Sequence, residues 1–134
     1  MSTSDLPIER EVDGEFDDPL ELSTRIAEDG TVVVAAVGEV DAFTAAPLRS
    51  LLDTMLERQP PELVLDLSGV RFLGSAGLAV LVETQKAARV REVALRLIAT
   101  TRAVIRPLEV TGLIDLFTLS RDGGQTSRAR TPSA

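Results

Sequence analysis

The sequence predicts an α/β domain in which a mixed sheet of four or five strands is covered by helices. Short β-branched and apolar runs come first, as expected for strands. After residue 44, helical spacing alternates with further strand-like runs. Two early strands followed by such alternation are typical of one mixed sheet with helices packed over it. The chain has 134 residues, 44% of them hydrophobic, which is enough apolar material for a single core.

The first half of the chain predicts two strands and a helix. Residues 20–26 are an expected edge strand with a turn at 28–30, and the run 31–37 is an expected buried strand that ends at Gly38. The spacing i, i+3, i+4, i+7, i+8 then predicts a helix over 44–58, with Thr44 as its N-cap. Its apolar stripe consists of Leu48, Leu51, Leu52, Met55 and Leu56. A Pro-Pro pair ends this helix.

The second half predicts two further strand–helix units and a last short strand. The predicted elements are a strand over 62–67, a loop over 68–74, a helix over 76–90, a strand over 93–98, a helix over 101–110 and a strand over 117–120. Thr101 is the expected N-cap of the last helix, which ends at Gly112. The unit from 62 to 98 is expected to be a right-handed parallel crossover.

The composition excludes several kinds of chemistry. The chain has neither cysteine nor histidine, so it can form no disulfide, no Cys/His zinc site and no Ser-His-Asp triad. Four Phe are its only aromatic residues, which does not favour a stacking platform for nucleic acid. The net charge of −7 does not attract nucleic acid or an anionic membrane surface. We therefore expect a protein that is not an enzyme and that holds no metal and no cofactor.

Charge is concentrated at the two ends. Residues 1–18 contain seven acidic residues and one Arg and are expected to be a flexible acidic head, either solvated or docked on a basic partner. The folded domain is expected over 19–121, followed by a flexible tail over 122–134. The sequence shows no apolar run of about 20 residues and no signal-peptide pattern. We therefore expect a cytoplasmic protein without membrane insertion.

The segment around Ser75 is the most specific part of the chain. It places Ser75 directly after a strand and a loop, as the expected N-cap of the 76–90 helix. Gly74 and Gly77 flank this serine, and small residues there either keep the helix start open to a partner or merely permit a tight turn. Taken from the residues alone, Ser75 is a helix cap or a functional hydroxyl.

Three ordered segments resemble the STAS domain, specifically bacterial anti-sigma-factor antagonists. They are Gly-Glu-Val-Asp at 38–41, Asp-Leu-Ser-Gly-Val-Arg-Phe-Leu-Gly-Ser-Ala-Gly-Leu at 66–78, and Arg-Pro-Leu-Glu-Val-Thr-Gly-Leu-Ile-Asp-Leu-Phe at 106–117. The resemblance covers about residues 20–121 and implies a STAS-like single domain. This chain departs from the family pattern on both sides of Ser75. Many family members carry Asp immediately before the serine at this position, where this chain has Gly74, and a second serine immediately after it, where this chain has Ala76.

This resemblance implies a partner-switching function. The antagonist binds an anti-sigma factor, a serine kinase of the GHKL type, and frees a sigma factor. Phosphorylation of Ser75 by that kinase ends the binding, and a dedicated phosphatase restores it. By resemblance, the partner-binding residues are Asp41, Gly74, Ser75, Ala76, Gly77 and Leu78. By the same resemblance, Asp41 is an acidic residue near Ser75 that is associated with nucleotide contact or phosphorylation; alternatively, it is simply a turn residue before the helix that begins near Thr44.

Two other functions remain open. The first is a STAS-like cytosolic subunit of a membrane complex that transports lipids, which would co-purify with an ABC-type ATPase. The second is a small hydrolase that uses Ser75 as nucleophile. The hydrolase lacks a candidate base, because the chain has no histidine and Lys86 is expected on the exposed side of its helix.

Overall fold

The computed structural model describes residues 20–121 of the chain. The strands are β1 (Leu20–Ile26), β2 (Val32–Val40), β3 (Glu62–Leu73), β4 (Ala94–Ile98) and β5 (Thr118–Ser120). The helices are α1 (Ala45–Glu57), α2 (Ser75–Val90) and α3 (Arg102–Val110), and a 3-10 turn spans Ile114–Leu116. The predicted acidic head over 1–18 and the predicted tail over 122–134 lie outside the described residues.

The five strands form one mixed sheet in the order β1-β2-β3-β4-β5. β1 pairs antiparallel with β2 at one edge, and the other three pairings are parallel. Each parallel connection passes through one helix, so sequence order and spatial order coincide. This arrangement confirms the predicted mixed sheet, including the parallel pairing of the two strands of the 62–98 unit.

One contiguous core joins the sheet to all three helices. The helical spacing around residue 50 is confirmed, because Leu48, Leu52 and Leu56 are fully buried against it. Leu81 of α2 and Leu108 of α3 contribute to the same core, opposite the alternating residues of the central strands. Burial of a leucine side chain contributes about 1.5–3 kcal/mol, so this core supplies the main stabilisation of the fold.

The predicted helices agree with the structure to within one residue at each end, whereas β2 and β3 are longer than predicted. β2 does not end at Gly38. That glycine has a φ of 127° and lies in a bulged part of the strand, which continues to Val40. The short 3-10 turn over 114–116 was not predicted.

The segment 68–73, predicted as a loop, is the second half of β3. Its beginning has the chemistry of a turn, because the Asp66 carboxylate accepts hydrogen bonds from the backbone N–H and the hydroxyl of Ser68. The register then shifts and pairing with β2 resumes at Gly69, which lies opposite Val37. A Cβ on Gly69 would lie 2.8 Å from Cγ2 of Val37, so a glycine is needed for this close approach. β3 therefore carries the chain to the same end of the sheet that β2 reaches.

No helix within residues 20–121 combines the length and the hydrophobicity needed to cross a membrane.

Candidate functional site

The ends of β2 and β3 bring two predicted site residues together. Val40 and Leu73 are register partners at the end of the parallel pair. The next amide of β3, that of Gly74, donates a 2.9 Å hydrogen bond to the carbonyl oxygen of Val40. Asp41 and Ser75 each follow directly after this bonded pair, so they leave the sheet next to each other.

Ser75 is the first residue of α2, and the prediction that it is the N-cap is wrong. The N-cap is Gly74, whose backbone is extended with φ −89° and ψ −175°. Glycine has no side chain that could cap the helix. The Ser75 hydroxyl, which was expected to accept a helical N–H, lies one position too far along the helix to do so. The Ser75 side chain is exposed, and its hydroxyl has no hydrogen-bond partner among residues 20–121.

The first turn of α2 carries no negative charge of its own. The amide of Leu78 donates the first helical hydrogen bond, 3.0 Å long, to the carbonyl of Gly74. The amides of Ser75, Ala76 and Gly77 precede that bond and have no intrahelical acceptor. The first turn contains no acidic side chain. A negative group on Ser75 would therefore meet free N–H groups and the positive end of the helix dipole.

Asp41 closes the turn between β2 and α1. Its carboxylate accepts hydrogen bonds from the backbone N–H groups of Phe43, at 2.9 Å, and Thr44, at 3.0 Å. These bonds, the one from Phe43 above all, hold the pKa of the Asp41 carboxyl below its ordinary value. The contacts support the interpretation of Asp41 as a turn residue. They also fix an ionised carboxylate beside the start of α2.

Thr44 holds the same turn against the end of β2. It occupies the N-cap position of α1 as predicted, but its hydroxyl makes no capping bond to the helix. Instead the buried hydroxyl donates to the carbonyl of Glu39 at 2.8 Å and accepts the N–H of Asp41 at 2.9 Å. The position of Asp41 is therefore set by two-way hydrogen bonding with Thr44.

Four of the six predicted partner-binding residues reach the surface. Ser75 is exposed, and Asp41, Gly74 and Ala76 are half-buried, whereas Gly77 and Leu78 are buried. A Cβ on Gly77 would lie 2.6 Å from Cδ1 of Leu73 and 2.7 Å from Cγ1 of Val40. Gly77 and Leu78 therefore face the core, and Gly77 allows α2 to start directly against the two strands.

Two exposed aromatic residues at this site were missed from the sequence. Phe43 lies in the Asp41 turn and is 88% exposed, and Phe72 lies near the end of β3 and is 50% exposed. By contrast, Phe117 is 8% exposed and belongs to the core. Their sequence positions could have indicated that they lie near the site, because each of the two is within three residues of Asp41 or Ser75.

Lys86, the side chain considered as a base for a hydrolase, lies far from Ser75. Lys86 is exposed and lies eleven residues along α2, a rise of about 16 Å. A general base must come within hydrogen-bond reach of the nucleophile, which Lys86 does not. Residues 20–121 also contain no group of three or more side chains that could jointly hold a metal ion.

Comparison with known proteins points to one family. Residues 24–125 match the STAS domain. The anti-sigma-F factor antagonist RsfB of Mycobacterium tuberculosis is 33% identical over 102 residues, which cover 75% of this chain and 83% of RsfB.

Solved structures agree with this match. The crystal structure of an anti-sigma factor antagonist from Mycobacterium paratuberculosis has a TM-score of 0.73 and 30% identity, covering 82% of this chain and 92% of that one. The Bacillus protein SpoIIAA shares the fold at 14–15% identity, with TM-scores of 0.69 for its unphosphorylated form and 0.64 for its phosphorylated form. These matches cover 85% and 82% of this chain and all of SpoIIAA.

Proposed function

The chain belongs to the STAS domain family, and on that premise we propose that it is an anti-sigma-factor antagonist. In this proposal, the surface that contains Asp41, Gly74, Ser75 and Ala76 binds an anti-sigma factor, which then releases its sigma factor. The chain acts as a binding module in the cytoplasm and not as an enzyme. Relatives named as antagonists of anti-sigma-F and anti-sigma-B factors support this assignment.

One observation carries the proposal. Ser75 presents an exposed hydroxyl without a partner among the described residues, at the first position of a 16-residue helix and next to the Asp41 turn. A serine whose hydroxyl capped the helix would have to give up that bond on modification. Ser75 has no such bond to lose, so its hydroxyl is free to react without any change in the fold.

Phosphorylation of Ser75 is the proposed switch. An anti-sigma factor with serine kinase activity, of the GHKL type that the family resemblance implies, transfers the γ-phosphoryl group of ATP to Oγ. A new P–O bond forms, the bond to the leaving ADP breaks, and the hydroxyl proton passes to the kinase or to solvent. A dedicated phosphatase hydrolyses the phosphoester and restores the hydroxyl.

The physical chemistry of this position suits such a switch. A phosphate adds a charge of about −1.5 to −2 at neutral pH. The free amides at the start of α2 and the helix dipole favour that charge, so the domain keeps its structure. A partner that buries Ser75 must instead desolvate the phosphate, which costs several kcal/mol unless the partner pairs it. A tenfold loss of affinity requires only about 1.4 kcal/mol.

Two experiments test the proposal. The first is affinity capture with the full chain from cells of the source organism, with bound proteins identified by mass spectrometry. Recovery of an anti-sigma factor with a GHKL kinase fold supports the proposal, and recovery of an ABC-type transport ATPase instead supports the lipid-transport alternative.

The second experiment incubates the purified anti-sigma factor with ATP and either the wild-type chain or Ser75→Ala. We expect one phosphate on the wild type, mapped to Ser75, and none on the variant.

A further inference from the structure

We propose that Phe43 and Phe72 are the apolar anchors of the partner surface, and that the anti-sigma factor presents an apolar pocket to them. This inference rests on the proposed function and specifies the chemistry of its partner. Affinity then comes mainly from the burial of two aromatic rings and only slightly from ion pairs.

The exposure of the rings is the first argument. Phe43 and Phe72 leave 88% and 50% of their surface in water, whereas Phe117 is buried in the core. An aromatic side chain buries 150–250 Å² when it is covered, which makes it one of the most effective interface residues. The exposed parts of the two rings add nothing to the stability of the isolated domain, so their burial is available to a partner.

Their placement is the second argument. The N–H of Phe43 is bonded to the Asp41 carboxylate at 2.9 Å, which sets Phe43 at the start of the turn. Phe72 is the register partner of Glu39, one position before the Val40–Gly74 hydrogen bond. Phe43 therefore lies next to Asp41 and the Phe72 ring next to Gly74, so each phenylalanine borders the proposed partner surface.

The Phe72 ring also lies against the main chain at Gly74 before binding. A Cβ on Gly74 would lie 3.0 Å from Cε2 and 3.2 Å from Cζ of that ring. One side of the ring thus rests on the main chain that leads into Ser75, while the rest is open to a partner. A side chain that is ordered in advance loses little conformational entropy on binding.

The charges around the rings do not point to a strongly ionic interface. Two exposed charged residues are neighbours of Phe72, namely Glu39 on β2 and Arg71 on β3, and their charges have opposite signs. Asp41 has its carboxylate occupied by the amides of its own turn. Glu39 and Arg71 offset each other and leave the Asp41 carboxylate as a single uncompensated charge, so burial of the two rings remains the main source of affinity.

This anchor surface also links ring burial to the switch. A phosphate on Ser75 would stand one residue from the glycine on which the Phe72 ring rests. To bury the ring, the partner would then have to dehydrate the phosphate as well, and an apolar pocket provides nothing to pair it. The same chemistry that holds the unphosphorylated form therefore rejects the phosphorylated one.

The test measures binding of purified anti-sigma factors encoded in the same genome to four forms of the full chain, by calorimetry. These forms are the wild type, Phe43→Ala, Phe72→Ala and the control Val90→Ala. Val90 is an apolar residue, 83% exposed, at the far end of α2, about 22 Å of helix from Ser75. We expect each Phe variant to bind the same anti-sigma factor at least about tenfold more weakly, and Val90→Ala to bind like the wild type. Because the Phe43 side chain is almost fully exposed, its removal does not endanger folding.

Two further measurements sharpen the result. Gly74→Ala should displace the Phe72 ring and weaken binding with both rings still present. The wild-type affinity should change little with salt concentration. Wild-type affinity for both Phe variants, or a steep loss of affinity with salt, would overturn the anchor inference and leave the proposed function standing. If the wild type binds none of the anti-sigma factors, both are wrong.

Discussion

The amide of Gly74 donates a 2.9 Å hydrogen bond to the carbonyl oxygen of Val40, and this bond joins the start of α2 to the end of β2. It places Ser75 beside Asp41, whose own turn is closed by Thr44. The candidate phosphorylation site is therefore part of the rigid frame of the sheet and not of a separate loop. Modification of Ser75 should change the surface that a partner meets without rearranging the domain.

The position of Ser75 as the first residue of α2 predicts how its substitution changes the stability of the domain. Ser75→Ala removes no capping bond, so the free energy of unfolding should change by less than about 0.5 kcal/mol. Ser75→Asp adds a negative charge at the positive end of the dipole, a gain that repulsion from the neighbouring Asp41 carboxylate reduces, and should raise the free energy of unfolding by at most about 1 kcal/mol at low salt. Urea unfolding of both variants with and without 1 M NaCl checks this. A loss of 1 kcal/mol or more in Ser75→Ala would instead show that the hydroxyl caps the helix.

Gly77→Ala should destabilise the domain although alanine is the better helix former. A helical Gly→Ala change ordinarily stabilises by about 0.8–1 kcal/mol. Here the new Cβ would lie 2.6–2.7 Å from side-chain atoms of Leu73 and Val40. Overpacking of this kind costs about 1–3 kcal/mol, so we expect a net loss measurable by urea unfolding. Gly74→Ala is the matched control, since only the exposed Phe72 ring must move. Equal stability of the two variants would contradict the claim that Gly77 packs too closely against Leu73 and Val40 to allow a side chain.

Thr44→Val should destabilise the Asp41 turn. The change keeps the shape of the side chain but leaves the Asp41 N–H and the Glu39 carbonyl without their partner. Loss of such a buried hydroxyl costs about 1–3 kcal/mol, and Thr44→Ser should restore most of it. Thermal unfolding compares these with Thr54→Val, an exposed threonine bonded only to the preceding turn of its own helix. If Thr44→Val and Thr54→Val behave alike, the hydroxyl does not hold the turn.

The Asp41 turn should also weaken in acid. The pKa of Asp41 is lower in the folded protein than the ordinary 3.8 because backbone N–H groups bond the ionised carboxylate. Its contribution to stability is therefore complete above the unfolded pKa and is lost as the pH falls through the folded one. The difference in free energy of unfolding between wild type and Asp41→Asn should shrink below about pH 4.

Asp29→Asn provides the comparison for this pH series. Asp29 has a pKa lowered for the same reason, by hydrogen bonds from Thr31, but it lies in the turn between β1 and β2. We expect the two single variants to show the same pH window. A wild-type-to-Asn difference that stays constant from pH 6 to pH 2.5 would show that the Asp41 carboxylate does not stabilise the turn.

The sequence predicted the elements whose pattern is set locally. The leucine spacing of α1 and the apolar strand 62–67 depend on periodicity, and both lie where they were expected. The second half of β3 was missed because its residues have turn chemistry. Only pairing with the extended end of β2, a contact between distant parts of the chain, makes Gly69–Leu73 a strand.

The site was predicted in part. The motif located Asp41 and Ser75, and the structure brings them together through the Val40–Gly74 bond. The prediction that Ser75 caps the helix was wrong, because the helix starts one residue earlier than its apolar pattern indicates. The sequence positions of Phe43 and Phe72 place them near the site, but their exposure could not be predicted, since burial of an isolated phenylalanine depends on tertiary neighbours that periodicity does not reveal.

The most direct test of the whole account is the affinity of one anti-sigma factor for two forms of the wild-type chain. One form is unphosphorylated, and the other is phosphorylated stoichiometrically at Ser75, with intact folding verified by circular dichroism. We predict that the unphosphorylated form binds and that the phosphorylated form binds at least about tenfold more weakly, with no loss of thermal stability. Equal affinity of the two forms would contradict the account and leave Ser75 as an exposed residue without a switching role.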